Sequence, residues 1–110
     1  MAKAYKRLGA VTVVANTDTT LYTCPTSTTT ITSCIFVSNR GASERTFRIA
    51  IVDGAIGSVS SSDYLYYDAV IAANSGQSFN IGVILQTTYT ILVRASHADV
   101  NFLAFGAEIT

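Results

Sequence analysis

The sequence predicts an all-β domain: an eight-stranded antiparallel β-sandwich, with a jelly roll among the arrangements open to it. Three observations carry that reading. Val, Ile, Thr, Tyr and Phe recur throughout, whereas Lys, Glu and Gln are few and Pro occurs once. Apolar and polar positions alternate with period two in short runs. Turn residues separate those runs at intervals of about ten to twelve residues.

The first predicted strand covers residues 7–14 and turns at Asn16-Thr17-Asp18. The second, 20–24, stops at Pro25, which has no N–H for a ladder. The third covers 30–38, with Ile31, Ser33, Ile35 and Val37 on one face and Thr32, Cys34 and Phe36 on the other. Asn39 to Ser43 is a tight connection in which Gly41 is free to take positive φ. In the fourth strand, 45–52, Thr46, Arg48, Ala50 and Val52 oppose Phe47, Ile49 and Ile51. The Gly- and Ser-rich stretch 54–62 follows, and a loop of that length in a small domain is either mobile or holds a contact. Strands over 63–71, 78–85, 89–95 and 100–109 complete the set. In the last, Val100, Phe102 and Ala104 alternate with Asn101, Leu103 and Phe105.

A chain of 110 residues, 49% of them hydrophobic, builds one domain with a real core. The basic cluster Lys3, Lys6 and Arg7 suggests an amino-terminal arm over residues 1–6, ahead of a single sandwich domain over 7–110. Only 13% of residues are charged, and seven bases balance seven acids. That balance argues against nucleic acid, whose phosphates call for excess positive charge, and against a polybasic membrane surface. The mean hydropathy is +0.38, yet no run approaches the roughly 18 apolar residues of a spanning helix. Fifteen Thr and eleven Ser supply the polarity instead, giving a weakly self-repelling surface that suits contact with copies or partners. No secretion signal is evident, so synthesis in a cytoplasm is expected, with Cys24 and Cys34 as free thiols.

Chemistry finds little to work with. Ser96, His97 and Asp99 are triad residue types, but so short a span cannot bring them together in a pocket, and His97 reads as an exposed turn residue. Asp63 and Asp68, five apart on one strand, should point to opposite faces and do not make a glycosidase pair. Asp53-Gly54 lacks the acidic spacing of a calcium loop, the two cysteines lack a zinc pattern, and the glycines match no phosphate-binding fingerprint. The expectation is no catalytic residue, no cofactor and no metal. The informative cluster is Tyr64, Tyr66 and Tyr67, with Tyr64 and Tyr66 on one face and Leu65 and Tyr67 on the other. Aromatics on both faces fit either sandwich core plus an exposed Tyr ladder or a contact beyond the domain's own core. A sugar-stacking platform is a third reading, weakened by the lack of Trp. Together with Lys3, Lys6 and Arg7, these tyrosines are the expected contact residues for copies or partners.

Several segments carry a resemblance: Arg7-Leu8-Gly9-Ala10, Ala15 to Thr23 with Pro25, Ser38 to Ala42, Thr46 to Ala50, Asp63 to Asp68, Ile71 to Asn74, Val93 to Ser96, Val100 to Phe102 and Phe105 to Ile109. Taken together they resemble short structural proteins of tailed bacteriophages. The match runs nearly end to end in strand and turn residues, with no active-site motif. Cys24 and Cys34 depart from the pattern and leave open a bridge formed after release. The resemblance implies a non-enzymatic virion component, made in the host bacterial cytoplasm. Its expected role is capsid cement: a homotrimer on the shell where major capsid protein subunits meet. A tail, baseplate or fibre adaptor is the alternative, followed by a carbohydrate-binding module for host attachment.

Overall fold

The computed structural model of the protein describes residues 3–110. Its strands are β1 (Lys3–Thr12), β2 (Thr19–Thr23), β3 (Thr29–Asn39), β4 (Arg45–Val52), β5 (Tyr64–Ile71), β6 (Ser75–Leu85), β7 (Thr90–Ala95) and β8 (Val100–Ile109). Two 3-10 turns, Ile56–Ser58 and Ser61–Asp63, are the only helical elements among the described residues. The strands form two four-stranded antiparallel sheets, ordered β1-β8-β3-β6 and β2-β7-β4-β5. The chain thus folds as one long hairpin that pairs β1 with β8, β2 with β7, β3 with β6 and β4 with β5. That hairpin is rolled so that alternate pairs fall in opposite sheets, which is the jelly-roll order.

The core fills the space between the sheets. Ile35 and Val37 of β3, Phe47 and Ile49 of β4, Ile91 and Val93 of β7, and Phe102 of β8 are all buried there. Phe47 is central, its ring meeting those of Tyr66, Phe79 and Phe102. At one end the core turns polar. The Tyr22 hydroxyl donates to Glu108 Oε2 at 2.5 Å and lies 2.7 Å from the buried Thr30 hydroxyl, while Lys6 Nζ reaches Glu108 Oε1 at 3.2 Å. Burial, then the neighbouring carboxylate, raises the Tyr22 phenol well above its usual pKa. The same hydrogen bond holds Glu108 below the ordinary carboxylate range.

A pH prediction follows from the sign of that shift. A carboxyl whose folded pKa is depressed adds stability above its unfolded pKa and loses it as pH falls through the folded value. Glu108→Gln should therefore be less stable than the wild type at pH 7, with the gap closing as pH drops below about 4. Urea midpoints of both proteins across pH 2 to 7 would check it, and a gap that stays constant would contradict it.

Bulges set which side chains face inward. Register shifts fall at Leu8 in β1, Leu21 in β2, Ser33 in β3, Leu65 in β5 and the Tyr67-Asp68 pair, where Asp68 takes a φ of 52°. Each extra residue reverses the alternation beyond it. In β3 the inward set is therefore Thr30, Thr32, Ile35 and Val37, and Ile31 turns outward with Cys34 and Phe36, correcting the strict alternation expected from the sequence.

A second correction concerns the amino-terminal arm. Residues 3–6 are the first half of β1, paired with Gly106 to Ile109, so they belong to the sandwich; Met1 and Ala2 lie outside the described residues. The ladder is made by backbone groups, so the unpatterned side chains of Lys3 to Lys6 gave no strand signal.

The stretch between β4 and β5 is folded down as a cover. Its Ile56 and Val59, with Tyr64, pack on Ala50, Val52 and Leu92, outward residues of the second sheet that are fully buried as a result. The Asp63 carboxylate accepts from the Ser60 backbone N–H at 2.9 Å and closes the segment.

Candidate protein-binding surfaces

The tyrosine strand is divided between core and surface. Tyr66 points inward, with ring centroids 5.9 Å from Phe47 and 4.5 Å from Phe79. Tyr64 and Tyr67 lie together on the outer side, edge to face at 4.9 Å. The expected pairing of Tyr64 with Tyr66 is thus overturned by the bulge at Leu65, which inserts an extra residue between them. Tyr64 seals the covered cluster, and Tyr67 is left 59% exposed. The Arg48 guanidinium sits 4.0 Å from the Tyr67 ring centroid and binds both Asp68 oxygens, at 2.7 and 3.3 Å. That contact lowers the Asp68 pKa and raises that of Arg48. Asp68 is therefore an outward ion-pair member and Asp63 a cap, so the two carboxylates are engaged separately, without the opposite-face arrangement expected.

Arg48 stands directly across from Arg94 on β7, a like-charge pair that each resolves with its own carboxylate: Asp68 for Arg48, and Asp18 at 3.3 Å for Arg94. The cleft beside them, lined by Asn16, Thr46 and Ser96, holds about 20 Å³, room for a single water. It is too small for a substrate.

The outward face of the β1-β8-β3-β6 sheet is different in kind. Register places Tyr5, Ala107, Ile31 and Ile84 in one row, Arg7, Phe105, Cys34 and Asn80 in the next, and Ala10, Leu103, Phe36 and Ser78 in a third. The Phe36 and Phe105 rings meet edge to face at 5.8 Å. Tyr5 is 79% exposed, Ile84 62%, Phe36 41% and Phe105 39%. Shallow depressions of about 320 and 480 Å³ flank these rings, one beside Leu103 and Gly76, the other beside Tyr5 and Arg7. Among the described residues no segment covers this face, whereas the opposite sheet carries the folded cover described above. An apolar patch of this size, with Arg7, Asn80 and Ser78 among its rows, makes this face the candidate contact surface of the molecule.

The basic residues divide along with it. Lys3, its Nζ 5.7 Å from the Tyr5 ring centroid, and Arg7, opposite Phe105, belong to this outward face; Lys6 is tied to Glu108. Sequence reasoning singled out Lys3, Lys6, Arg7 and the tyrosines but missed Phe36, Leu103, Phe105 and Ile84. The available signal was that β3 and β8 carry large apolar residues on both of their alternating faces.

The remaining candidates separate. His97 is exposed in the β7–β8 turn, its Nδ1 3.2 Å from Ser96 Oγ, while Asp99 pairs with Arg45 at 3.1 Å. A relay would need the carboxylate on the imidazole, and here it is elsewhere. Among the described residues no three His, Cys, Asp or Glu side chains converge as metal ligands. Both cysteines are free thiols. Cys24 is buried against the Thr28 and Leu85 carbonyls, and Cys34 sits half-buried on the outward face. In the native protein, an alkylating reagent should therefore modify Cys34 and spare Cys24 until denaturant is added; mass spectrometry of the labelled peptides would read this, and equal rates would contradict the burial of Cys24.

No protein-family model matches the chain, and no curated protein matches it in sequence.

Proposed function

We propose that the protein is a non-enzymatic structural component of a phage virion, a cement protein that assembles as a homotrimer and binds across major capsid protein subunits. The observation that carries the reading is the uncovered apolar face of the β1-β8-β3-β6 sheet, built on a rigid sandwich. A face of that kind holds neighbouring subunits together by burying area, and a standard interface of about 1,600 Å² does so without any chemistry. Binding only the assembled shell would stabilise that state by mass action and help it resist the pressure of packaged DNA. Three-fold symmetry lets each copy make the same contact where three shell subunits meet. The resemblance of the strand and turn segments to phage structural proteins supports the same reading; the fold alone does not, since jelly rolls serve many functions.

Imaging intact virions beside capsids released without tails tests it. Density for this protein on the shell in both samples is the expected result. Density confined to tails would replace cement with a tail or fibre adaptor, and absence from the particle would end the virion reading.

A further inference from the structure

We infer that the uncovered face of the β1-β8-β3-β6 sheet docks on the covered side of a second copy, head to tail. The inference rests on the proposed self-assembly and names the two surfaces that would make it. Among the described residues, four ion pairs use Lys6, Arg45, Arg48 and Arg94. The bases left without a carboxylate are Lys3, Arg7 and Arg40, and all three border the uncovered face. Lys3 and Arg7 alternate with Tyr5 along β1, and Arg40 reaches Asn101 Oδ1 at 3.2 Å on the outward row of β8. The carboxylates left without a base are Glu44, Asp53 and Asp63. Asp53 and Asp63 bracket the segment that covers the other sheet. A chain of zero net charge thus carries its unpaired positive charge on one broad side and most of its unpaired negative charge on the other.

That asymmetry selects the geometry. Two uncovered faces packed together would bring Lys3, Arg7 and Arg40 of both copies into one interface with no carboxylate to meet them, which opposes an isologous dimer. The covered side offers the complement: Asp53 and Asp63, with Leu65 43% and Tyr67 59% exposed in the first half of β5. The molecule extends 45 × 27 × 19 Å, so its broad sides exceed the roughly 800 Å² per partner of a standard interface. Lys3, Tyr5 and Arg7 lie on the edge strand β1, and Asp63, Leu65 and Tyr67 at the start of the edge strand β5. The contact therefore joins margins of the two sides and leaves the middle of the uncovered face to the shell. Margins inclined to each other close a head-to-tail contact into a ring when the rotation between copies allows, whereas full parallel sides would only stack.

Sedimentation velocity of the purified full chain over a salt series tests this, beside the variants Lys3→Glu/Arg7→Glu, Asp53→Lys/Asp63→Lys and all four changes combined. The wild type should form a closed oligomer that salt weakens. Each double variant should raise the dissociation constant about tenfold or more, and the combined variant should recover much of the loss. Because Asp63 also caps the covering segment, Tyr5→Ser, at a 79% exposed position, serves as a variant that leaves the sandwich intact and should weaken assembly too. A wild type that stays monomeric, or an oligomer disturbed by the Lys3/Arg7 changes but indifferent to those at Asp53 and Asp63, would overturn the inference. A ring-former missing from capsid shells would remove the cement reading and leave the head-to-tail contact standing; a monomer found on shells would do the reverse.

Discussion

Replacing Gly106 with alanine should unfold or severely weaken the sandwich. Gly106 is paired on both sides, with Lys6 of β1 and Thr32 of β3. An added Cβ there would run into the carbonyl oxygen of Ile31 and crowd the Thr32 Cα, both backbone atoms of a strand fixed in mid-sheet. A flexible side chain could swing aside, but this neighbour cannot. The expected loss is about 3 kcal/mol or more, a large part of the roughly 5–15 kcal/mol that holds a typical domain. Gly57 provides the control, because a Cβ there meets nothing within 4 Å. Chemical denaturation of Gly106→Ala and Gly57→Ala side by side would check it, and equal midpoints would show that the β3–β8 seam can spread.

Phe47→Ala should be comparably damaging for the opposite reason, by removing volume. Its ring is 1% exposed and touches Tyr66, Phe79 and Phe102, drawn from three different strands. Truncation leaves a cavity that a rigid sandwich closes poorly, at a cost of about 3–5 kcal/mol. Phe36→Ala removes the same atoms from the outward face, where the ring is already 41% exposed, and should cost much less stability. If Phe36→Ala instead reduces assembly while Phe47→Ala reduces the melting temperature, the two aromatic populations are separated by experiment. Similar melting curves for the two variants would contradict the inward and outward assignment.

The strands themselves were legible in the sequence because period-two patterning is a local property. The spans of β4 and β8 agree with the structure to the residue, and the others differ only at their ends. Facing was less legible. A bulge at Ser33 or Leu65 leaves no mark in composition, yet it reverses every side chain beyond it, which is how Ile31 came to lie outside and Tyr66 inside. The tyrosine cluster stood out because three aromatics fall within four positions, but its members divide among core, cover and surface. The uncovered face was hidden by dispersion. Tyr5, Phe36, Ile84 and Phe105 come from four strands, and only the pairing of distant strands makes them neighbours. The ion pairs that leave one side cationic were equally invisible, since Lys6 and Glu108 are joined across nearly the whole chain.

The position of β8 bears on how the chain comes off the ribosome. β8 lies between β1 and β3, and β1, made before it, has no other neighbour in its sheet. Throughout synthesis β1 must therefore wait as an unpaired ribbon, and the first sheet cannot close until residues 100–109 have emerged. Such a topology has high contact order, and sandwiches of this kind fold in milliseconds to seconds once complete. A waiting strand invites pairing with other nascent chains, and charged residues along it suppress that encounter. Lys3, Lys6 and Arg7 give β1 three like charges within five residues, a density no other strand of the protein has. Like charges at that density are of the kind that keeps a waiting strand from pairing with other chains.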